Sequence, residues 1–314
     1  MRTDGLGNVT IGRSASRTGI PPPSVFVRTT TGSVDIAAAG DIRQQNSQAR
    51  VYTTGTPVDQ SGLAQFNRFV FSVNQLARGS STGSFSGPFF EHAGDITLQA
   101  GRDLLGSPGT TYNASGNVVA TQYVTDWWYR QTGTTSAEQP VALWSRYDLF
   151  GQGFASFGGG DIRVSAGRDV VDLEVSTPTT GYRIGARRDA DGQTVAAAGE
   201  RWFDGGTLNV AAGRNVVSGL YNAGGPTARL VAGAGIVPAA NTGLGQSQPV
   251  TQVLYQNTDW EIRAALSLTV SSLTNPGLLG GAAQGSEVSP RSDLVDGVAA
   301  GARATLSNLA GDVT

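Results

Sequence analysis

An eleven-residue stretch that occurs four times constrains this chain more than any other feature. Gly160-Asp-Ile-Arg-Val-Ser-Ala-Gly-Arg-Asp-Val170 recurs as Gly94-Asp-Ile-Thr-Leu-Gln-Ala-Gly-Arg-Asp-Leu104 and as Gly206-Thr-Leu-Asn-Val-Ala-Ala-Gly-Arg-Asn-Val216. A looser copy is Gly32-Ser-Val-Asp-Ile-Ala-Ala-Ala-Gly-Asp-Ile42. Within one copy Ile96, Leu98 and Ala100 alternate with Thr97 and Gln99. That period of two is a strand with one face in a core and one in water. Gly101 then suits a corner with positive φ, and Asp103, like Asn215, tolerates the left-handed region. Leu104, Val170 and Val216 restart an apolar position. Each copy therefore predicts strand, tight corner, strand, and none contains a proline that would interrupt a ladder.

A repeat of this size cannot bury its apolar face alone, but stacked repeats bury a continuous core. The motif glycines are 62, 66 and 46 residues apart. At roughly 20 to 23 residues per coil, those gaps correspond to three, three and two coils. The expected fold is all-β: one right-handed parallel β-helix over residues 1–314, with loops outside the solenoid and one short α-helix. The helix is expected in an excursion at 58–80, where Leu63, Phe66, Val70, Val73 and Ala77 step by three and four. Asp59 would cap its start and Gly79 its end. An aromatic-rich excursion is expected at 106–157 and a polar one at 178–205. Leu220–Val237 reads as one or two narrow coils, Trp260–Val270 as an alternating strand, and Ala304–Val313 as a divergent coil.

The repeat unit resembles that of filamentous-haemagglutinin-type exoproteins, the large secreted partners of two-partner secretion systems. Arg50-Val-Tyr-Thr-Thr-Gly-Thr-Pro57 is similar to the carboxy-terminal part of such exoproteins. So is the run from Phe157-Gly-Gly-Gly-Asp-Ile162 through Asp172-Leu-Glu-Val-Ser-Thr-Pro178. The likeness covers residues 30–235, with weaker echoes at both ends. It lacks the amino-terminal secretion domain and any toxin-like tail, so the chain reads as an internal or carboxy-terminal piece of a longer protein. The resemblance implies a rigid segment of a secreted exoprotein on the bacterial cell surface, mediating adhesion or cell–cell contact. Implied partners are an outer-membrane transporter for the full-length protein and a host or bacterial surface receptor or glycan. Two alternatives stay open: the receptor-binding stick of a contact-dependent growth-inhibition toxin, and a β-helix polysaccharide-active enzyme.

Composition narrows the chemistry. All 22 basic residues are Arg and the net charge is −2, without the basic excess that nucleic-acid binding needs. The absence of cysteine excludes disulfides, thiol catalysis and zinc–thiolate sites, and suits export of an unfolded chain. The 44 glycines follow no triplet period, which excludes collagen. No apolar run reaches transmembrane length, so membrane insertion is not expected, and the start shows no signal-peptide h-region.

The binding candidates are Trp127, Trp128, Tyr129, Trp144 and Tyr147, in the most aromatic part of the chain. Such rings either stack sugar faces or pack the flank of the solenoid. The corner arginines Arg102, Arg168 and Arg214 could form an outward ladder for anionic glycans, or sit as solvated charges beside Asp and Asn. Glycoside hydrolysis needs two carboxyls at a set separation. Asp161, Asp169, Asp172 and Glu174 are the nearest such set, but the repeating acids fit corner positions, where Asp bonds its own backbone. Asp189, Asp191 and Glu200 hold loop positions 1, 3 and 12 of a calcium loop, yet Thr194 stands where glycine is required. His92, the one histidine, reads as structural. No catalytic residue, metal or cofactor is therefore expected.

Overall fold

The computed structural model describes residues 1–12, 25–45, 48–58, 89–107, 110–112, 118–121, 127–132, 141–145, 147, 150–240, 250–274 and 302–310. Among these residues the regular structure is all β. Most of the strands fall into three columns, each built of parallel neighbours, and the others pair antiparallel beside them.

The first column stacks Val34–Ala38, Ile96–Ala100, Ile162–Ala166, Leu208–Ala212, Thr227–Ala232, Asp259–Ala264 and Arg303–Asn308. The second stacks Val9–Ile11, Ile42–Gln44, Leu104–Leu105, the first half of Val170–Thr177, the first half of Val216–Ala223, Gly235–Val237 and Ser267–Leu268. The third stacks Val25–Thr29, Ala49–Thr53, Gly153–Ser156, the second halves of the same two long strands, Thr251–Tyr255 and Ser272–Thr274. From Val34 to Thr274 the chain visits the columns in one order, six times over. Each visit is called a rung below.

This pairing corrects the coil count. Ile96 is the direct partner of both Val34 and Ile162, and Ile162 of Leu208. Each gap between motif copies advances the stack by one strand, not by two or three. Described surplus residues such as Thr180–Ile184 and Gly199–Phe203 pair outside the stack, and the chain is back in it at Leu208. Closing a long loop costs little more than closing a short one, because the entropy grows only logarithmically with length. Spacing therefore does not count turns. The shortest step, from Leu208 to Ala228, spans 20 residues. Leu220–Val237, Trp260–Val270 and Ala304–Val313 contribute to consecutive rungs. The alternating run from Trp260 is not one strand: it ends at Ala264, the amide of Leu266 donates to the carbonyl of Ala234 at a corner (2.8 Å), and pairing resumes at Ser267. The helix expected at 58–80 lies, beyond Val58, outside the described residues.

Register explains the core. Ile36, Leu98, Val164, Val210, Leu230 and Ile262 form one inward file, each 3 % exposed or less. A parallel file ends in Leu208, Ala228, Trp260 and Ala304. There the large indole sits between two alanines, which keeps the volume per layer near that of a close-packed interior.

The corners differ from expectation in cause. Gly101 and Gly167 have ordinary φ, and so do Asp103, Asp169 and Asn215. Glycine is required because the rungs touch: a Cβ on Gly167 would lie 2.3 Å from the carbonyl oxygen of Gly101. The acid that follows ties one rung to the next. Oδ1 of Asp41 accepts from the amide of Asp103 (3.2 Å), Asp103 from Asp169 (3.1 Å), and Asp169 from Asn215 (3.0 Å). Asn8 and Asn215 extend this ladder to Asp41 (2.7 Å) and Gly235 (3.1 Å). Asp103→Ala, which removes the acceptor for the Asp169 amide and the Arg168 guanidinium, is expected to cost about 1.5 kcal/mol in urea unfolding. Asp103→Asn, which keeps the acceptor, should cost less than half as much.

Candidate recognition flank

Two excursions from consecutive rungs join on one side of the stack. Trp128–Thr132 and Val141–Ser145 come from the excursion before Gly153, and Thr180–Ile184 and Gly199–Phe203 from the one after Thr177. They pair in that order as a four-stranded antiparallel sheet. An aromatic cluster holds this sheet against the outward side of the third column. Trp127, Phe150 and Phe157 meet edge to face with centroids 5.4 Å apart, and Tyr52 of the column joins Phe150 at 6.1 Å and Phe157 at 6.0 Å. This is the favoured geometry for ring quadrupoles. A second contact stacks Phe89 on Phe203 at 5.5 Å and sets it beside Tyr182 at 5.7 Å.

The sequence candidates gather here but divide. Trp127 is 0 % exposed and Trp128 2 %, so their rings face protein rather than solvent. Tyr147 is half-buried, edge-on to Phe90 at 5.4 Å. Tyr129 and Trp144 are direct cross-strand partners, and their side chains lie outside the described set. Sequence reasoning passed over Tyr52, Phe89, Tyr182, Trp202 and Phe203. The pair Trp202-Phe203, two large rings inside an otherwise polar excursion, was the available signal. On the solvent side Arg201 lies over the Phe203 ring, 4.7 Å from its centroid, and reaches Glu91 at 3.4 Å.

The charged candidates serve as ties between rungs. Arg102 pairs with Asp41 at 3.1 Å, Arg168 with Asp103 and Arg214 with Asp169, each reaching the carboxylate one rung back. The corner charges are thus paired within the stack. The Arg214 hydrogen bond leads the effects that hold the Asp169 carboxyl below the usual range, outweighing its partial burial. This group's contribution to stability is therefore present above the unfolded carboxylate range and lost as pH falls through its lowered folded value. Asp161 accepts from the amide of Thr207 (2.8 Å) and pairs with Arg163 (2.6 Å), and Glu174, buried, accepts from Gln152 Nε2 (2.6 Å).

Asp172 is different. It and Ser218 occupy the bulge where the second and third columns meet, with φ of 48° and 53°. The Ser218 hydroxyl donates to Asp172 Oδ1. Burial pushes the Asp172 carboxyl up, more than the hydroxyl lowers it. Burial, then the Asp172 charge, also pushes the fully enclosed Tyr221 phenol up. The stability gained by protonating Asp172 is complete below its unfolded value and lost as pH rises through the folded one. Asp172→Asn is therefore expected to raise the melting temperature at pH 7, with the difference shrinking below about pH 4. A lower melting temperature at pH 7 would contradict this.

In the calcium-like loop, Asp189 Oδ1 accepts from the amides of Asp191 (3.0 Å) and Gln193 (2.8 Å) at the tip of a hairpin, while Glu200 accepts from the Trp202 indole. Among the described residues no group of three acids or histidines is placed to hold a metal ion. His92 is exposed, with φ of 60°, 3.9 Å from Glu91. Comparison of the chain with models of protein families, with curated proteins and with solved structures finds no match.

Proposed function

We propose that this chain is a segment of right-handed parallel β-helix from a secreted bacterial surface exoprotein of the filamentous-haemagglutinin type. In this reading it is a stiff spacer that carries adhesive contact away from the cell. The observation that supports it most is the strand register. Consecutive motif copies pair residue for residue, so length is added one rung at a time by backbone ladders and a continuous core. The corner ladder adds to this, since every acid or amide fixes the amide of the next rung. A cysteine-free chain with its charges paired between rungs suits passage through an outer-membrane transporter followed by folding outside.

The aromatic flank then supplies local rigidity, and a receptor or glycan would meet the solvent side around Arg201 and the hairpin Arg187–Ala196. Antibodies raised against that hairpin should label intact cells of the native source, and the label should disappear when the cognate outer-membrane transporter is deleted. Labelling only after the cells are broken open would reject the reading.

A further inference from the structure

The aromatic flank does not cover the whole outward face of the third column. Tyr52, Ala155 and Leu254 on that face are buried in the flank cluster. On the strand Val25–Thr29, Val27 packs against the core, so Phe26 and Arg28 point outward. Phe26 is 56 % exposed, and Arg28 is exposed beside it. Their direct partners on the next strand are Arg50 and Tyr52. Four side chains thus share one small area of sheet, with strand partners about 4.8 Å apart and the backbones of Arg28 and Arg50 about 8 Å apart on the diagonal.

The two cations are held differently. The Arg50 guanidinium lies between two rings, its Cζ 5.7 Å from the Phe26 centroid and 6.0 Å from that of Tyr52. Its Nη1 donates to the carbonyl of Phe150, while its buried Nε has no acceptor. The Arg28 guanidinium has no ion pair or hydrogen bond among the described residues, unlike Arg102, Arg168 and Arg214 at the corner. In the file of Arg50 the next carboxylate is Glu174, beyond Gly153, and it accepts from Gln152. Two guanidiniums, one fixed and one unpaired, therefore stand beside an exposed ring on a chain whose net charge is −2.

We propose that Phe26, Arg28 and Arg50 form a binding site for a carboxylated pyranose, a sugar of the uronic-acid class. The planar guanidinium fork matches a carboxylate through paired N–H donors, and such charge-assisted bonds are the strong ones. A pyranose also presents a face of C–H groups, and Phe26 offers an exposed ring for it to stack on. Arg50 is already held in place, so less freedom is lost on binding. A bare anion would use the cations but not the ring, and a neutral sugar the ring but not the cations. A carboxylated sugar uses both. The site lies on the column itself, apart from Arg201 and the hairpin Arg187–Ala196, and the inference is independent of secretion or adhesion.

The test is saturation-transfer NMR of methyl glucuronide with the full 314-residue chain. Saturation should reach the sugar ring protons, with a Kd in the millimolar range expected of so small a ligand. Methyl glucoside, which has a hydroxymethyl group in place of the carboxylate, should bind at least about tenfold more weakly. Arg28→Gln and Phe26→Ser, both at exposed positions, should each weaken glucuronide binding at least about tenfold with an unchanged circular dichroism spectrum. Arg229→Gln, which removes an exposed guanidinium on the first column, should leave binding as it was. No saturation transfer up to about 20 mM sugar overturns the proposal. So does equal binding of the two sugars, an equal loss in Arg229→Gln, or displacement of the glucuronide by inorganic sulfate at equal concentration, which marks a site for anions only.

Discussion

Gly160→Ala is expected to destabilise the protein by at least about 3 kcal/mol, at the upper end of what overpacking costs. The added Cβ would stand 2.2 Å from the carbonyl oxygen of Gly94, and 2.7 Å from that of Ala93. Both are backbone atoms of the rung beneath, and their positions are fixed by the pairing of Ile96 with Ile162. No rotamer change relieves the contact; only separation of two rungs does. The same holds at Gly206, where the added atom would lie 1.9 Å from the carbonyl of Gly160. Chemical denaturation of both variants checks this, and a loss below about 1 kcal/mol at either site would mean that the rungs do not approach so closely.

Trp260→Ala should cost about 4 kcal/mol, from lost burial together with the cavity left behind. The indole is 2 % exposed and stands between Ala228 and Ala304, neither of which can fill the space it vacates. Ala228→Leu tests the same packing from the other side and should be destabilising through overpacking by about 1–3 kcal/mol. Arg214→Ala, by contrast, removes a solvent-screened ion pair whose arginine is 53 % exposed and should shift the unfolding midpoint far less than Trp260→Ala does. The large effects thus belong to glycines and inward apolar residues, and the small ones to the charged corner that makes the motif conspicuous in the sequence.

That contrast explains what was legible. Inward and outward faces could be read because a strand buried on one side must alternate; Ile96, Leu98 and Ala100 point into the core as their spacing requires. Adjacency of the copies was not legible, because the residues between them carry no mark distinguishing a further turn from an excursion. The role of Gly101 was misread for a related reason. The sequence shows a glycine but not whether backbone torsion or a neighbouring rung demands it, and the neighbour is 62 residues away in the chain. Trp127 and Trp128 were located but not oriented, since burial on the flank depends on Tyr52 of the preceding rung and on Phe150 and Phe157 from further along the chain.

The most direct test of the stack is one distance. Gln99, Ser165, Ala211, Val231 and Arg263 are successive partners on the outward face of the first column. Four steps at about 4.8 Å put Gln99 and Arg263 about 19 Å apart. Spin labels on cysteines at these two positions, in a chain with no others, should give a narrow electron–electron distance distribution centred near 20 Å. A centre near 35 Å, the length expected if the same 164 residues wound at roughly 20 to 23 per coil, would contradict rung-to-rung pairing of the repeats.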